Sequence, residues 1–297
     1  MKNYIFLMLA VLFWSGNFVF GRLISSSIEP IELSFYRWFF VLILLSPYIL
    51  LRYKNIYSVF KENYLILCTL GALGISGFNT FLYFGLQTTT ATNALLINSS
   101  TPIFIIVLSS LIFLKQISKI QFFGIILSTL GVVFLILKGN INLFSNIEFT
   151  HGDLWVILSA LTWSLYCILL KYKPMKLNPL EFFCSITIIG VLILSVIYTY
   201  QGYSISNLNF MSNNEVLYSL MYIVIFPSIL SFYFWNSATI AIGANKAGQF
   251  THLMPIFGAI IAYFLLDEVL QFYHLLGMSL IFIGIYLSLF VSKSEKV

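Results

Sequence analysis

What this chain has least of is charge. Only 8% of its 297 residues are Asp, Glu, Lys or Arg, while 60% are hydrophobic; a soluble domain carries about 25% charged residues. That shortage excludes a water-facing globular surface over most of the length. The net charge of +5 comes from cations in short stretches between apolar runs. No single basic face exists, so nucleic acid is not an expected partner. Cysteine is also scarce. Cys68, Cys167 and Cys184 are odd in number, form no CxxC pair and sit in apolar stretches, which excludes a disulfide framework and a zinc site. They read as small buried hydrophobes. HExxH, GxSxG and phosphate-loop motifs are missing, as are a Ser-His-Asp set and clustered metal ligands. Catalysis, a metal and a cofactor are therefore not expected.

What is present is hydropathy. Apolar stretches long enough to cross a bilayer fall at roughly 4–23, 31–51, 64–84, 92–114, 119–138, 154–172, 180–200, 216–236, 246–266 and 271–291. The expected fold is an all-α membrane protein of ten transmembrane helices, solvated by the lipid bilayer. The first run, Tyr4 to Phe20, is too long for a signal-peptide core and lacks a small-x-small cleavage site, so it reads as a span. The longest connections, Gly139–Asp153 and Gln201–Glu215, are rich in Asn, Ser and Gly, as exposed loops are. With a cytoplasmic N-terminus, twelve of the fifteen Lys and Arg residues fall on the cytoplasmic side. The positive-inside bias then puts both termini in the cytoplasm of a multi-pass inner-membrane protein.

The chain also repeats itself. Trp14-Ser15 matches Trp163-Ser164, and Pro30-Ile31-Glu32 matches Pro179-Leu180-Glu181, at an offset of 149 (163 − 14). Beyond the second span the offset becomes 153 (255 − 102), pairing Pro102 with Pro255, Gly124 with Gly277 and Gly131 with Gly284. The implied organisation is two repeats, 1–145 and 146–297, of five spans each. An odd span count inverts the second repeat in the membrane. Lys115 opposite Glu268 fits that inversion, because the motif is recharged by side. Inverted repeats are a mark of secondary transporters, with a site at the midplane.

Two matching segments dominate this picture: Thr92 to Lys115 and Asn245 to Glu268. Each has a proline near its middle, Pro102 or Pro255, which is expected to kink the helix and free the carbonyls of Asn98 and Thr251. Broken backbone at membrane depth persists only where protein or a wet cavity satisfies it. A hydrated site at the junction of the two halves is therefore expected, beside Asn98, Ser99, Gln249 and His252.

The segments LFWSGNFVFGRLI and PIELSFYRW, the paired spans ending in FLK and LLDE, and the glycine pairs of spans five and ten carry a family resemblance. In their order and spacing, over residues 4 to 291, the chain resembles the EamA family of the drug/metabolite transporter superfamily. That resemblance implies export of amino acids, related small metabolites or drug-like compounds. It also implies that spans three, six and eight line the cavity, which brings Tyr83, Tyr166 and Trp235 to the substrate. The family's acidic residue at the end of the fourth span is kept at Glu268, whereas the first repeat has Lys115-Gln116.

Among individual residues, Trp14 and Trp163 recur at equivalent mid-span positions and offer aromatic area to an apolar solute. Asn17, Asn79, Asn98, Ser99, Gln249, Asn236 and Gln87 offer directed hydrogen bonds. His252 is a candidate for substrate or proton handling. Arg37, five residues after Glu32, is expected to pair with Glu32 and anchor the helix; binding a substrate carboxylate is the alternative. Glu32 and Glu181 read as helix-start caps. Gly71, Gly74 and Gly77 read as close-packing positions. A neutral, aromatic-rich cavity suits neutral or zwitterionic amphipathic substrates, handled by a monomer. The competing readings are an importer of a nucleoside-like or cofactor metabolite, and a membrane binding protein that transports nothing.

Overall fold

In lipid the backbone has no water to bond, so each crossing must satisfy its own N–H and C=O groups. The computed structural model describes residues 1–114, 118–140, 150–204, 212–266 and 272–291, and every element among them is helical. Lys115, Gln116 and Glu268, on which the charge comparison of the repeats rests, lie outside the described residues. Among the described residues, eight helical segments are long and apolar enough to cross a membrane.

The helices are α1 (Lys2–Leu23), α2 (Pro30–Leu70), α3 (Phe78–Thr88), α4 (Ala91–Asn98), α5 (Thr101–Phe113) and α6 (Lys119–Ile136). They are followed by α7 (His151–Leu169), α8 (Pro179–Tyr200), α9 (Asn214–Ile223), α10 (Ser231–Ile242), α11 (Ala244–Gly248), α12 (Met254–Leu266) and α13 (Phe272–Tyr286). Capping boxes start α7 (Thr150 with Asp153) and α8 (Asn178 with Glu181). Glu181 thus serves as the cap its position suggests, and it also accepts a hydrogen bond from Asn55 of α2 at 3.1 Å.

The boundary between the second and third apolar stretches differs from expectation. Helix continues from Pro30 to Thr88 without a loop. Yet Arg37 lies 2.8 Å from Asn79, 42 positions later, where a straight helix would separate them by about 63 Å. The helix therefore folds back on itself. Asn63 supplies non-helical dihedrals (φ −133°, ψ 26°) inside α2, and its amide bonds the Val59 carbonyl at 3.1 Å.

The two prolines each follow an irregular turn in their segments. Pro102 sits in the first turn of α5, after a break at Ser99-Ser100; Pro255 is the second residue of α12, after the 3₁₀ turn Gln249–Leu253. A proline in a first helical turn lacks a donor that would have no partner there anyway. Helix nonetheless continues through the first irregular turn as one span, Asn93–Phe113, with Ser99 and Ser100 in the right-handed helical region.

Helix packing crosses between the two halves: α6 with α13, α2 with α8, α3 with α7, α1 with α10. At α6–α13 the contact is backbone on backbone. A methyl on Gly124 would lie 2.5 Å from the Gly284 carbonyl, and one on Gly131 would lie 2.9 Å from the Gly277 carbonyl. As one residue number rises the partner's falls, so the two helices run antiparallel. Two π-helical turns, Gly71–Gly77 before α3 and Val224–Leu230 before α10, stand 153 positions apart (224 − 71). The first packs closely, as its glycines suggest: a methyl on Gly74 would meet the Tyr166 ring at 2.5 Å.

Candidate functional site

The centre of the bundle is aromatic. Trp14 of α1 and Trp163 of α7 meet edge to face, centroids 5.1 Å apart at 88°, and Trp235 of α10 lies 5.0 Å from Trp14 and 5.8 Å from Trp163. Phe232, Phe78 and Tyr166 close round them at 5.4, 4.7 and 5.0 Å from Trp163. Edge-to-face contact suits the ring quadrupoles. Two of the buried indoles find acceptors: Trp14 donates to the Pro227 carbonyl at 2.8 Å and Trp235 to Cys167 Sγ at 3.3 Å. The expected hydrated opening is therefore filled here by the rings that were expected to line it, all at most 3% exposed.

Beside the rings, each half carries one Tyr–Asn hydrogen bond. Tyr83 donates to Asn17 at 3.1 Å; Tyr166 donates to Asn236 at 2.8 Å. Asn17 and Tyr166 are 149 positions apart (166 − 17), Tyr83 and Asn236 153 apart (236 − 83). The same two sites thus carry the same pair with the residue types exchanged.

Only the first half adds a cation. Arg37 is fully buried. Its Nη1 donates to Asn17 (3.1 Å), Asn79 (2.8 Å) and Tyr83 (2.7 Å), and its Nε donates to Ser228 (2.7 Å). The equivalent position in the second half is Ile186 (37 + 149). The π-helical turns explain why oxygens face Arg37. A π turn shifts the hydrogen-bond register and leaves carbonyls for side chains to use. Asn79 turns its amide nitrogen to Gly74 and Ile75 (3.4 and 3.5 Å), leaving its oxygen for the guanidinium. Ser228 donates to Ile223 at 2.7 Å, leaving its lone pairs for Nε. The expected Glu32–Arg37 pair does not form. Glu32 stays in the first turn of α2, and no described carboxylate lies within ion-pair distance of Arg37. One helical turn separates the two residues, but the guanidinium points inward to a shell of neutral oxygens.

A second polar cluster joins the two broken segments. His252 is fully buried. Its Nε2 lies 2.9 Å from the Ser99 carbonyl and its Nδ1 2.7 Å from Ser128 Oγ of α6. A carbonyl only accepts, so Nε2 carries the proton and Nδ1 accepts from Ser128. Ser99 and His252 are themselves 153 positions apart (252 − 99). The carbonyl met at the break is that of Ser99, where Asn98 was expected. Ser15 Oγ lies 3.1 Å from the Met254 carbonyl and its equivalent Ser164 Oγ 3.4 Å from the Thr101 carbonyl, each hydroxyl shared with a nearer carbonyl of its own helix, Val11 at 2.9 Å and Ala160 at 2.7 Å. Asn98 donates to Met254 Sδ at 3.3 Å, while Gln249 donates to Asn245 at 3.0 Å within its own segment.

The structure thus gathers Asn17, Asn79, Tyr83 and Arg37 in one group, Trp14, Trp163, Tyr166 and Trp235 in a second, and Asn98, Ser99 and His252 in a third. Gln249 stands near the third without joining it. Sequence reasoning missed Ser228, Ser128, Trp38 and Phe232. No local pattern marks a serine or phenylalanine for such contacts. No group of three or more His, Cys, Asp or Glu that could hold a metal comes together among the described residues.

Comparison with known proteins bears on this arrangement. The family model for EamA-like transporters matches residues 1–137 and again 150–290. The chain belongs to the EamA-like transporter family. An uncharacterized transporter of Archaeoglobus fulgidus is 25% identical over 292 residues, 97% of each chain. The uncharacterized transporter YyaM of Bacillus subtilis is 27% identical over 230 residues, 77% of this chain and 74% of YyaM. A crystal structure 14% identical in sequence superposes with a TM-score of 0.74 over 99% of both chains, so the fold is shared. This EamA-like protein is a multi-pass membrane protein, and these two relatives are named as transporters.

Proposed function

We propose that this EamA-like protein is a secondary transporter that exports small amphipathic metabolites, neutral or aromatic amino acids first among them, across the inner membrane by alternating access. The proposed unit is one chain of ten spans in two inverted repeats, 1–145 and 146–297, with both termini cytoplasmic.

The observation that carries the reading is the crossed contact of equivalent residues. Trp14 meets Trp163, Ser99 meets His252, and the α6 and α13 glycines meet antiparallel. Equivalent residues touch only near a two-fold axis, and an antiparallel fifth and tenth span is what an inverted repeat requires. In this reading the eight long segments among the described residues become ten crossings: folding back of Pro30–Thr88 adds one, and the stretch 244–266 adds another.

In this reading Trp14, Trp163, Tyr166 and Trp235 separate to admit the apolar part of a substrate, and Asn17, Asn79 and Tyr83 bond its polar end. Asn98, Ser99, Gln249 and His252 hold the broken spans together at the junction, near Pro102 and Pro255. His252 couples transport to protons if its bond to Ser128 can reverse. Ser128 Oγ lies 3.0 Å from the Ile125 carbonyl, so its hydroxyl can turn there and accept from a protonated ring.

Counterflow of radiolabelled phenylalanine into proteoliposomes, with and without a pH gradient, tests this reading. Saturable counterflow supports it, and a gradient that changes steady-state accumulation adds proton coupling. Ligand binding without flux would leave a binding protein, and flux restricted to nucleosides would favour the importer reading.

A further inference from the structure

Among the described residues Arg37 is the one charged side chain beside the central aromatic cluster, and none of their carboxylates answers its charge. The guanidinium has five N–H groups in a fixed fork. Three are used on neutral oxygens through Nε and Nη1, while Nη2 is buried and has no hydrogen-bond partner. Both described ion pairs, Arg52–Glu181 and Lys176–Glu62, lie elsewhere. The guanidinium sits 5.1 Å from the Trp38 ring and 5.9 Å from the Tyr83 ring, within cation–π range. Such contacts soften the burial of a cation but do not neutralise it. A buried charge without a counter-ion calls for one from outside the chain.

We propose that Arg37 is the docking residue for the carboxylate of the transported molecule, received at the free Nη2. The proposal rests on the transport reading and adds the substrate class: an amphipathic monocarboxylate with an apolar or aromatic body. Three observations define that class. The cation accepts an anion; Nε and Nη1 are already engaged, so Nη2 offers its N–H groups to one carboxylate oxygen as a charge-assisted acceptor; and a single arginine among neutral groups does not suit a multivalent anion. The aromatic body follows from what adjoins the cation. The Trp38 ring lies 5.0 Å from Phe232, which in turn packs on Trp14 and Trp163. With Ile186 at the equivalent position of the other half, only one half holds the charge. The substrate is thereby oriented, its acid toward α2 and α3 and its body toward the tryptophans.

The test uses the purified full-length protein in detergent. Thermal stabilisation is titrated with phenylalanine, phenylacetate and phenylalaninamide, in which an amide replaces the carboxylate. We expect both acids to stabilise the wild type and the amide to bind about tenfold more weakly, equivalent to about 1.4 kcal/mol. Arg37→Gln should lose the preference for the acids. Arg37→Lys, which keeps the charge but not the fork, should retain part of it. Equal binding of acid and amide by the wild type, no stabilisation by either acid at millimolar concentration, or undiminished acid preference in Arg37→Gln would each overturn the assignment. Should Arg37→Gln fail to fold, the wild-type comparison and Arg37→Lys still decide. Acid-selective binding without flux would refute the transport reading alone; flux that ignores the carboxylate would refute this assignment alone.

Discussion

Gly284→Ala puts the antiparallel contact of α6 and α13 to a quantitative test. The added methyl would lie 2.5 Å from the Gly124 carbonyl oxygen and 2.5 Å from the Ser128 backbone nitrogen. Neither atom can rotate away, as a side chain could. Reaching 3.0 Å, below which real contacts of this kind essentially never fall, takes at least 0.5 Å (3.0 − 2.5) of separation between the helices. Forced overpacking of this sort costs about 1–3 kcal/mol. Replacing a helical glycine by alanine also gains about 1 kcal/mol of propensity, which hides part of the clash. Gly258 of α12 has nothing within 4 Å of the equivalent methyl, so Gly258→Ala shows the gain alone. The difference between the two variants isolates the clash at about 1–3 kcal/mol. Thermal unfolding in detergent, followed by intrinsic fluorescence, reads this as a lower Tm for Gly284→Ala. The reciprocal variant Gly124→Ala meets the Gly284 carbonyl at 2.5 Å. Once one methyl has moved the helices apart, the other has room. The double variant should therefore fall short of additivity by at least about 0.5 kcal/mol. If Gly284→Ala matched Gly258→Ala in stability, or the two interface effects simply added, the backbone contact would be wrong.

His252→Ala removes the donor to the Ser99 carbonyl and leaves that group buried and unpaired, at about 1–3 kcal/mol; phenylalanine uptake should drop while expression stays normal, and unchanged uptake with unchanged pH dependence would remove His252 from the cycle. Asp153 accepts from the Thr150 backbone at 2.7 Å and from the Thr89 hydroxyl at 2.5 Å, tying the start of α7 to the end of α3. Asp153→Ala should destabilise the protein by about 1–2 kcal/mol in thermal unfolding, and no change would show that the cap is dispensable. Reporter fusions at either end should be active only in the form that reads cytoplasm; a terminus on the outer side would invalidate the orientation drawn from Lys and Arg.

Much of the fold was legible because the bilayer leaves few choices. A 60% hydrophobic chain must form helices, and the pairs Trp14/Trp163 and Pro102/Pro255 lie at constant offsets that survive without coordinates. The close-packing glycines and the Glu181 cap were legible for the same reason, since each follows from local backbone chemistry. The site was legible in its members but not its partnerships. Asn17, Asn79 and Tyr83 stood out as polar or aromatic groups in apolar spans. That Asn79 and Ser228 both turn an oxygen toward Arg37 depends on two π-helical turns, for which the sequence carries no clear pattern. Glu32 was a natural partner for Arg37 because they are one turn apart; proximity along a helix says nothing about which side chain faces the bundle interior.

Composition and periodic repetition settled that the chain lives in a membrane as helices, because apolar length and backbone hydrogen bonding admit little else in lipid. Which helices cross, whether a proline bends a helix or opens a new one, and where the one buried guanidinium finds its oxygens were decided by the tertiary structure. Those outcomes depend on contacts between residues tens to hundreds of positions apart, and neither local propensity nor hydropathy encodes them.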